Sequence, residues 1–556
     1  MHHSSTGGVS RRSLIAAASA AAGVIGSGAA SAQSAASAPA APATSAPSPA
    51  PAAGLGSAPA RQIFWVADTT SGKVRGIANG AIKEFRGVPY GASTGGEARF
   101  RPPKPAPGWS GVRDAIGFGE ISPQTPADLR SEYAQMIMWD RHVGPGGMGE
   151  DCLNLNIWTP GVDSAKRAVM VSFHGGGWAT GSGNGPMYDG ANLAAFGDVV
   201  VVTVNHRLAA FGYTHLAGLP DAGGEFADSG AVGVADMVAS LRWVRDNIAN
   251  FGGDPSRVMI FGQSGGGSKV STLLATPSAK GLFHRAAIQS GSTLKQRTPE
   301  QGAESAKLLL AALKASRAAA LRQAHWTELL QAQMDAMGAG ANFAPVIGGA
   351  TLPHHPFDPG APKESADVPV IISTTLEDAA LRLTNFDLDE AGLEAIIEKM
   401  KPGRGAEITR MYLDANLEKS PYLVQAQAMT DSTNRWSAIT QGERRATLGG
   451  APTWMYIWAW ATPAFDRKFG AVHGHDVDAS FHIVRSNMVG SGRKAGKVMA
   501  DRLASAWVAF AKTGDPNNPT LPHWPAYDQA TRATMIFDTE TRVELDPRRA
   551  FRELWA

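Results

Sequence analysis

Gly262-Gln263-Ser264-Gly265-Gly266 is the segment whose residue types and spacing point most directly to chemistry. It is a G-x-S-x-G between the apolar run Val258–Phe261 and a stretch with helical patterning from near Gly267. A hydroxyl raised on a sharp strand-to-helix turn is a nucleophile. Such a turn crowds the positions two residues to either side, and Gly262 and Gly266 carry no Cβ there. The helix that follows would aim its N-terminal amides and positive dipole end at the reacting centre. Upstream, His174-Gly175-Gly176-Gly177-Trp178 follows another apolar run, Val169–Phe173. Backbone without side chains can approach an oxyanion closely and donate N–H groups to it. Gly176 and Gly177 are therefore the expected donors, with Gly265 as the third. Losing one such donor typically costs about 3–4 kcal/mol of transition-state stabilisation. A phosphate-cradling loop is the competing use of these glycines, but no lysine follows and neither P-loop nor Rossmann spacing is present. His174 stands at a strand end before the loop and reads as a brace for it, not as the base that Ser264 needs.

The elements that must hold these residues alternate. Val169–Phe173, Val199–Val204, Val258–Phe261, Ala286–Gln289, Val368–Ser373 and Trp454–Trp458 read as buried strands. Between them, Val234–Phe251 places Met237, Leu241, Val244 and Ile248 on one helical face. Lys497–Lys512 does the same with Met499, Leu503 and Trp507 before stopping at Gly514 and Pro516. Alternation of this kind predicts an α/β fold with a mostly parallel central sheet and helices on both faces. Segments 298–365 and 385–450 read as helix-rich insertions that wall or cover the site.

The bulk properties exclude other classes. At 556 residues, 44% hydrophobic and 18% charged, the chain can bury a large core. A net charge of +2 with no long basic stripe gives nucleic acid nothing to bind. Beyond the N-terminus no run is apolar and long enough to span a bilayer, so no stable membrane insertion is expected. Residues 1–32 read as an export signal. Arg11-Arg12 precede the apolar run Leu14–Gly28, Ala30-Ser31-Ala32 resembles a cleavage site, and Ser10–Ile15 resembles a twin-arginine signal. The expected location is periplasmic or secreted. Residues 33–60 are almost all Ala, Pro and Ser and read as a disordered linker, leaving 61–556 as one domain. Cys152 is the only cysteine, which forbids an intramolecular disulfide; it reads as a buried structural thiol.

With 14 histidines, composition cannot choose the base. A family resemblance narrows the choice. Phe251 to Gly266 matches the long serine signature of the type-B carboxylesterase family, which includes the cholinesterases and bacterial esterases. Glu150 to Ile157 resembles that family's second signature, with Asn154 where an aromatic is usual. Phe85 to Tyr90, Asn205-His206-Arg207, Trp507 to Asn517 and Trp524 to Tyr527 are similar too. The likeness runs from about Ser71 to about Asp528 and implies the α/β-hydrolase fold. It also implies a triad in the order serine, acid, histidine. His473, in His473-Gly474-His475-Asp476, matches the family base; His475 is the second candidate, and His482 reads as a packing or surface residue. The family acid is a glutamate in a G-T-N-x-D-E-G pattern, whereas this chain reads Ser373-Thr374-Thr375-Leu376-Glu377-Asp378-Ala379. Asp378 takes the catalytic position, with Glu377 as the alternative. Relatives often bridge the signature cysteine upstream, but Ser122-Pro123-Gln124 offers no partner. Trp139 and Trp178 are candidates for the pocket wall.

The resemblance thus implies a serine carboxylesterase working through an acyl-enzyme on a small ester, with no cofactor and no metal. Lipase, amidase and carbamate hydrolase activity use the same machinery, and some relatives are non-catalytic binding proteins. The natural ester and the oligomeric state are not legible in the sequence.

Overall fold

The computed structural model describes residues 62–125, 143–219, 221–486 and 488–556. The export-signal and linker readings, and Trp139, lie outside the described residues. The remainder is built on one sheet of thirteen strands. Its N-terminal edge is antiparallel: β1 (Phe64–Thr69), β2 (Gly72–Asn79), β3 (Ile82–Pro89) and β5 (Asn154–Thr159), with the short β4 (Val112–Asp114) beside β2. From there β7 (Val200–Val204), β6 (Arg167–Phe173), β8 (Gly253–Gln263), β9 (Arg285–Gln289), β10 (Val370–Thr375), β11 (Thr453–Trp458) and β12 (Thr534–Phe537) run parallel in that order. β13 (Arg542–Glu544) closes the far edge antiparallel.

Period-two alternation sends each central strand into two cores. Val169, Val171 and Phe173 of β6 and Val258 and Ile260 of β8 face the helix Val232–Asn247, which buries Met237, Leu241 and Val244. Met170, Met259 and Phe261 face the opposite side, where the helix Lys494–Thr513 buries Met499, Leu503 and Trp507. A strand buried on both faces needs near-continuous apolar sequence, as Val200–Val204 has. Full burial of each such side chain is worth about 1.5–3 kcal/mol.

Several boundaries differ from the sequence reading. β10 begins two residues after Val368, because Pro369 has no N–H for the ladder, and runs on through Thr374 and Thr375. The helix after β8 begins at Gly265, not near Gly267; three consecutive glycines argue against helix by propensity, but tight backbone approach requires them. The segment 298–365 is α-helical only as far as Gly338, with Pro299–Ala312, Ala318–Gln323 and Trp326–Gly338, and has one further short 3-10 turn at Lys363–Ser365.

The parallel order brings the carboxyl ends of β6, β8, β10 and β11 to one rim of the sheet. Ligands bind at that rim in open α/β sheets.

Candidate active site

Ser264 follows the last residue of β8 with φ 60° and ψ −123°, a conformation that a non-glycine residue keeps only under constraint. Its N–H donates to the Gln289 carbonyl of β9 at 2.8 Å, and its carbonyl accepts from Ser268 N–H at 2.9 Å. A Cβ at Gly262 would lie 2.6 Å from both the Gly266 backbone and the Phe173 carbonyl, so the crowding expected from the motif is real. At Gly265 it would strike the backbone of Gly177. The helix Gly265–Leu274 and the loop after β6 are therefore in backbone-to-backbone contact.

That loop turns through Gly176 at φ 85° and Gly177 at φ 63°, conformations that L side chains disfavour. Neither amide has a hydrogen-bond partner among the described residues. Gly265 is the first residue of its helix, so its N–H has no intrahelical acceptor. All three glycines border one cavity of about 640 Å³, together with Ser264, Asp378 and His473.

His473 lies in the loop after β11, and its Nδ1 is hydrogen-bonded to Oδ1 of Asp378, three residues past β10. Asp378 is fully buried. Burial pushes its carboxyl up, but the charge and hydrogen bond of His473, with Ser290 and Asn434 adding to them, hold it below the ordinary aspartate value. It therefore stays ionised at neutral pH. Glu377 turns elsewhere: its carboxylate takes Lys419, Gln427 Nε2 at 2.7 Å and the Ala471 N–H at 2.7 Å. Its own N–H donates to the Ala471 carbonyl at 3.1 Å. Glu377 thus braces the loop that carries His473.

The other histidines are occupied differently. His475 is buried, accepts Trp458 Nε1–H at 3.0 Å and stacks on Trp460; burial drives its pKa down to about 3. His174 is buried, its ring stacks on His206, and its Nδ1 lies 2.8 Å from the Gly175 carbonyl, which suits a loop brace. His482 follows a helix end with positive φ and pairs with Asp501 at 2.8 Å. Cys152 is buried, which pushes its thiol up and leaves no thiolate nucleophile. Among the described residues no group of three His, Cys, Asp or Glu side chains could hold a metal ion, and no helix is long and apolar enough to cross a membrane.

Several walls of the cavity escaped the sequence reading. Trp178 lines it as expected, beside Met187 and Tyr188. Of the two insertions only 385–450 reaches it, through Met429, Thr433, Asn434 and Ser437. Thr433 and Asn434 belong to a π-helical turn, Asp431–Arg435, between the helices Pro421–Thr430 and Trp436–Leu448, which carry Met429 and Ser437 on either side of it. On the turn's buried side Asp431 pairs with Arg435 and with Arg548 at 2.6 Å and accepts Tyr412 O–H at 2.8 Å. Arg435 donates to the Thr375 carbonyl at 2.9 Å, which ties the wall to the end of β10. A buried acid four residues before a buried arginine was the available signal for this turn.

Comparison with known proteins agrees with this architecture. The model of the Carboxylesterase family matches residues 65–555. The chain is 33% identical over 506 residues to the para-nitrobenzyl esterase of Bacillus subtilis (strain 168), covering 87% of this chain and 96% of that protein. It is 32% identical over 501 residues to the phenmedipham hydrolase of Pseudarthrobacter oxydans, covering 85% of this chain and 95% of that protein. Among solved structures, the Geobacillus stearothermophilus carboxylesterase EST55 superposes with a TM-score of 0.75 at 32% identity, over 88% of this chain and all of that one. The chain belongs to the carboxylesterase family and is a carboxylic ester hydrolase on the α/β-hydrolase fold.

Proposed function

We propose that the ester hydrolysis runs as two-step acyl transfer on Ser264. His473 takes the hydroxyl proton as Ser264 attacks the ester carbonyl, and Asp378 holds the imidazole in the right tautomer and stabilises the imidazolium. The amides of Gly176, Gly177 and Gly265 hold the oxyanion, and the alcohol leaves with the proton from His473. Water then repeats the cycle on the acyl-enzyme. The observation that carries this reading is convergence: a serine on a strained elbow, a histidine bonded to a buried carboxylate, and two unpartnered amides border one cavity.

The cavity wall is apolar over most of its area, through residues such as Trp178, Met187, Leu381 and Met429, but polar groups interrupt it, which supports a preference for short acyl groups over long ones. Thr180, Ser268, Ser292, Thr293, Thr433 and Asn434 line it, and Arg382 is a cation on its edge. A long alkyl chain laid over such groups would strip their water without replacing it, at about 1–3 kcal/mol for each group left unpaired. Hydrolysis of p-nitrophenyl acetate, butyrate and palmitate tests both points. The two shorter esters are expected to turn over with kcat/KM more than about tenfold above palmitate. A preference for palmitate would move the reading to a lipase, and an inert wild type would end the esterase mechanism. The phenmedipham hydrolase among the relatives supports adding phenmedipham to the series.

Export to the periplasm or the medium is proposed on Arg11-Arg12, the run Leu14–Gly28 and Ala30-Ser31-Ala32. N-terminal sequencing of the fractionated protein should find a chain beginning near Gln33 outside the cytoplasm. A full-length chain confined to the cytosol would refute export.

A further inference from the structure

Lys269 is the fifth residue of the helix Gly265–Leu274 and is fully buried. Its position is costly. It lies near the positive end of a helix dipole, and among the described residues no carboxylate pairs with it. Among the described residues its one hydrogen bond runs from Nζ to the His174 carbonyl at 2.7 Å, and the ammonium stands 5.9 Å from the Trp178 ring centroid. Burial holds the amine well below the ordinary lysine range. For stability alone an apolar side chain of the same length would serve as well or better.

The bonded carbonyl explains what the lysine does. It belongs to the peptide joining His174 to Gly175, and the other end of that peptide, the Gly175 N–H, donates to Tyr188 Oη at 2.9 Å. The peptide is therefore gripped at both ends, directly before the two positive-φ glycines. Gly176 and Gly177 have no Cβ to limit rotation, so the turn of their amides toward the cavity depends on what holds the neighbouring peptides: the Gly176 carbonyl accepts from Thr180 N–H at 3.0 Å, the Gly175 carbonyl meets His174 Nδ1 at 2.8 Å, and Lys269 with Tyr188 holds the His174–Gly175 peptide before them. We propose that Lys269 is a positioning residue for the oxyanion hole, clamping the His174–Gly175 peptide so that the amides of Gly176 and Gly177 stay aimed beside Ser264. The same helix carries Ser264 as its N-cap and Gly265 as its first residue. One rigid element thereby fixes the nucleophile, one donor and the clamp on the other two. The inference rests on the oxyanion reading of those amides.

The test compares wild type with Lys269→Met in the mature chain. It uses p-nitrophenyl butyrate as substrate and an alkyl trifluoromethyl ketone, which forms a tetrahedral adduct with the serine, as inhibitor. Removing a whole oxyanion donor lowers kcat by roughly 10²–10³, and loosening two donors without deleting them should lower it by roughly 10–100-fold. KM should stay within about twofold while the inhibition constant rises by the same factor as kcat falls, since only transition-state binding is lost. The melting temperature should hold or rise. A packing role predicts the reverse: unchanged kcat and inhibition constant with altered stability, which would overturn the proposal. If Lys269→Met does not fold, Tyr188→Phe releases the other end of the peptide, and unchanged kcat and inhibition constant there would overturn it equally. Failure of the underlying reading looks different, because wild type itself would then not bind the ketone tightly.

Discussion

Ser264→Ala is expected to lower kcat on p-nitrophenyl butyrate by on the order of 10⁶ while leaving the fold intact. Alanine deletes the hydroxyl, the only atom of this residue that would bond to the ester. The backbone N–H to Gln289 and the carbonyl from Ser268 still hold the elbow at φ 60°. Alanine has the same Cβ as serine, so it meets the same strain and no more. The melting temperature should therefore move by less than a few degrees. Residual hydrolysis of about 10³–10⁴ over water should persist, because the amides of Gly176, Gly177 and Gly265 still bind a developing oxyanion and a water molecule can attack. The measurement is steady-state kinetics beside thermal unfolding and covalent labelling by an organophosphate, which should mark the Ser264 peptide in wild type and nothing in the variant. A variant that keeps more than about one per cent of wild-type kcat would mean that the nucleophile is elsewhere.

What the sequence made legible follows the range of the interactions involved. The elbow is local: glycine at 262 and 266 and the strand before Ser264 announce a strained turn within five residues, and the structure has that turn. The two-sided core is also local in origin, since period-two alternation in Val169–Phe173 and the helical stripe of Met499, Leu503 and Trp507 are readable in windows of a few turns. Residues whose meaning depends on distant partners were harder. His473 and Asp378 are 95 positions apart, and only the resemblance to a family pointed to them. Lys269 gave no signal beyond a cation inside an otherwise uncharged helix, because its partner is a backbone carbonyl 95 residues upstream. The cavity wall was least legible. Both insertions have helical composition, but only 385–450 turns toward the site, and it does so through a π turn set by Asp431, Arg435 and Arg548, the first and the last 117 positions apart.

Asp378→Asn should cost on the order of 10⁴ in kcat, whereas Glu377→Gln should stay within about tenfold of wild type. The two acids are neighbours in the chain, so the contrast isolates direction from chemistry. Past the end of β10, Glu377 pairs as a bridge with Val472, and its side chain turns beneath the loop to meet Lys419, Gln427 and the Ala471 amide. Asp378, one residue on, points to the other side and meets His473 Nδ1. An asparagine there keeps the shape but removes the charge, and its amide can present a donor to Nδ1, favouring the tautomer in which Nε2 cannot accept the Ser264 proton. A glutamine at 377 changes no group that touches the imidazole. It leaves Lys419 without its partner charge, so stability should fall by about 3 kcal/mol in urea unfolding while the pH–rate profile keeps its shape. If Glu377→Gln were instead the inactive variant and Asp378→Asn the active one, the pairing of Asp378 with His473 would be a packing contact and the catalytic acid would have to reach the histidine through the Ala471–Val472 segment of the loop. That arrangement would require the loop after β11 to shift by a residue. Such a shift would break both hydrogen bonds between Glu377 and Ala471, and amide exchange at Ala471 would report it.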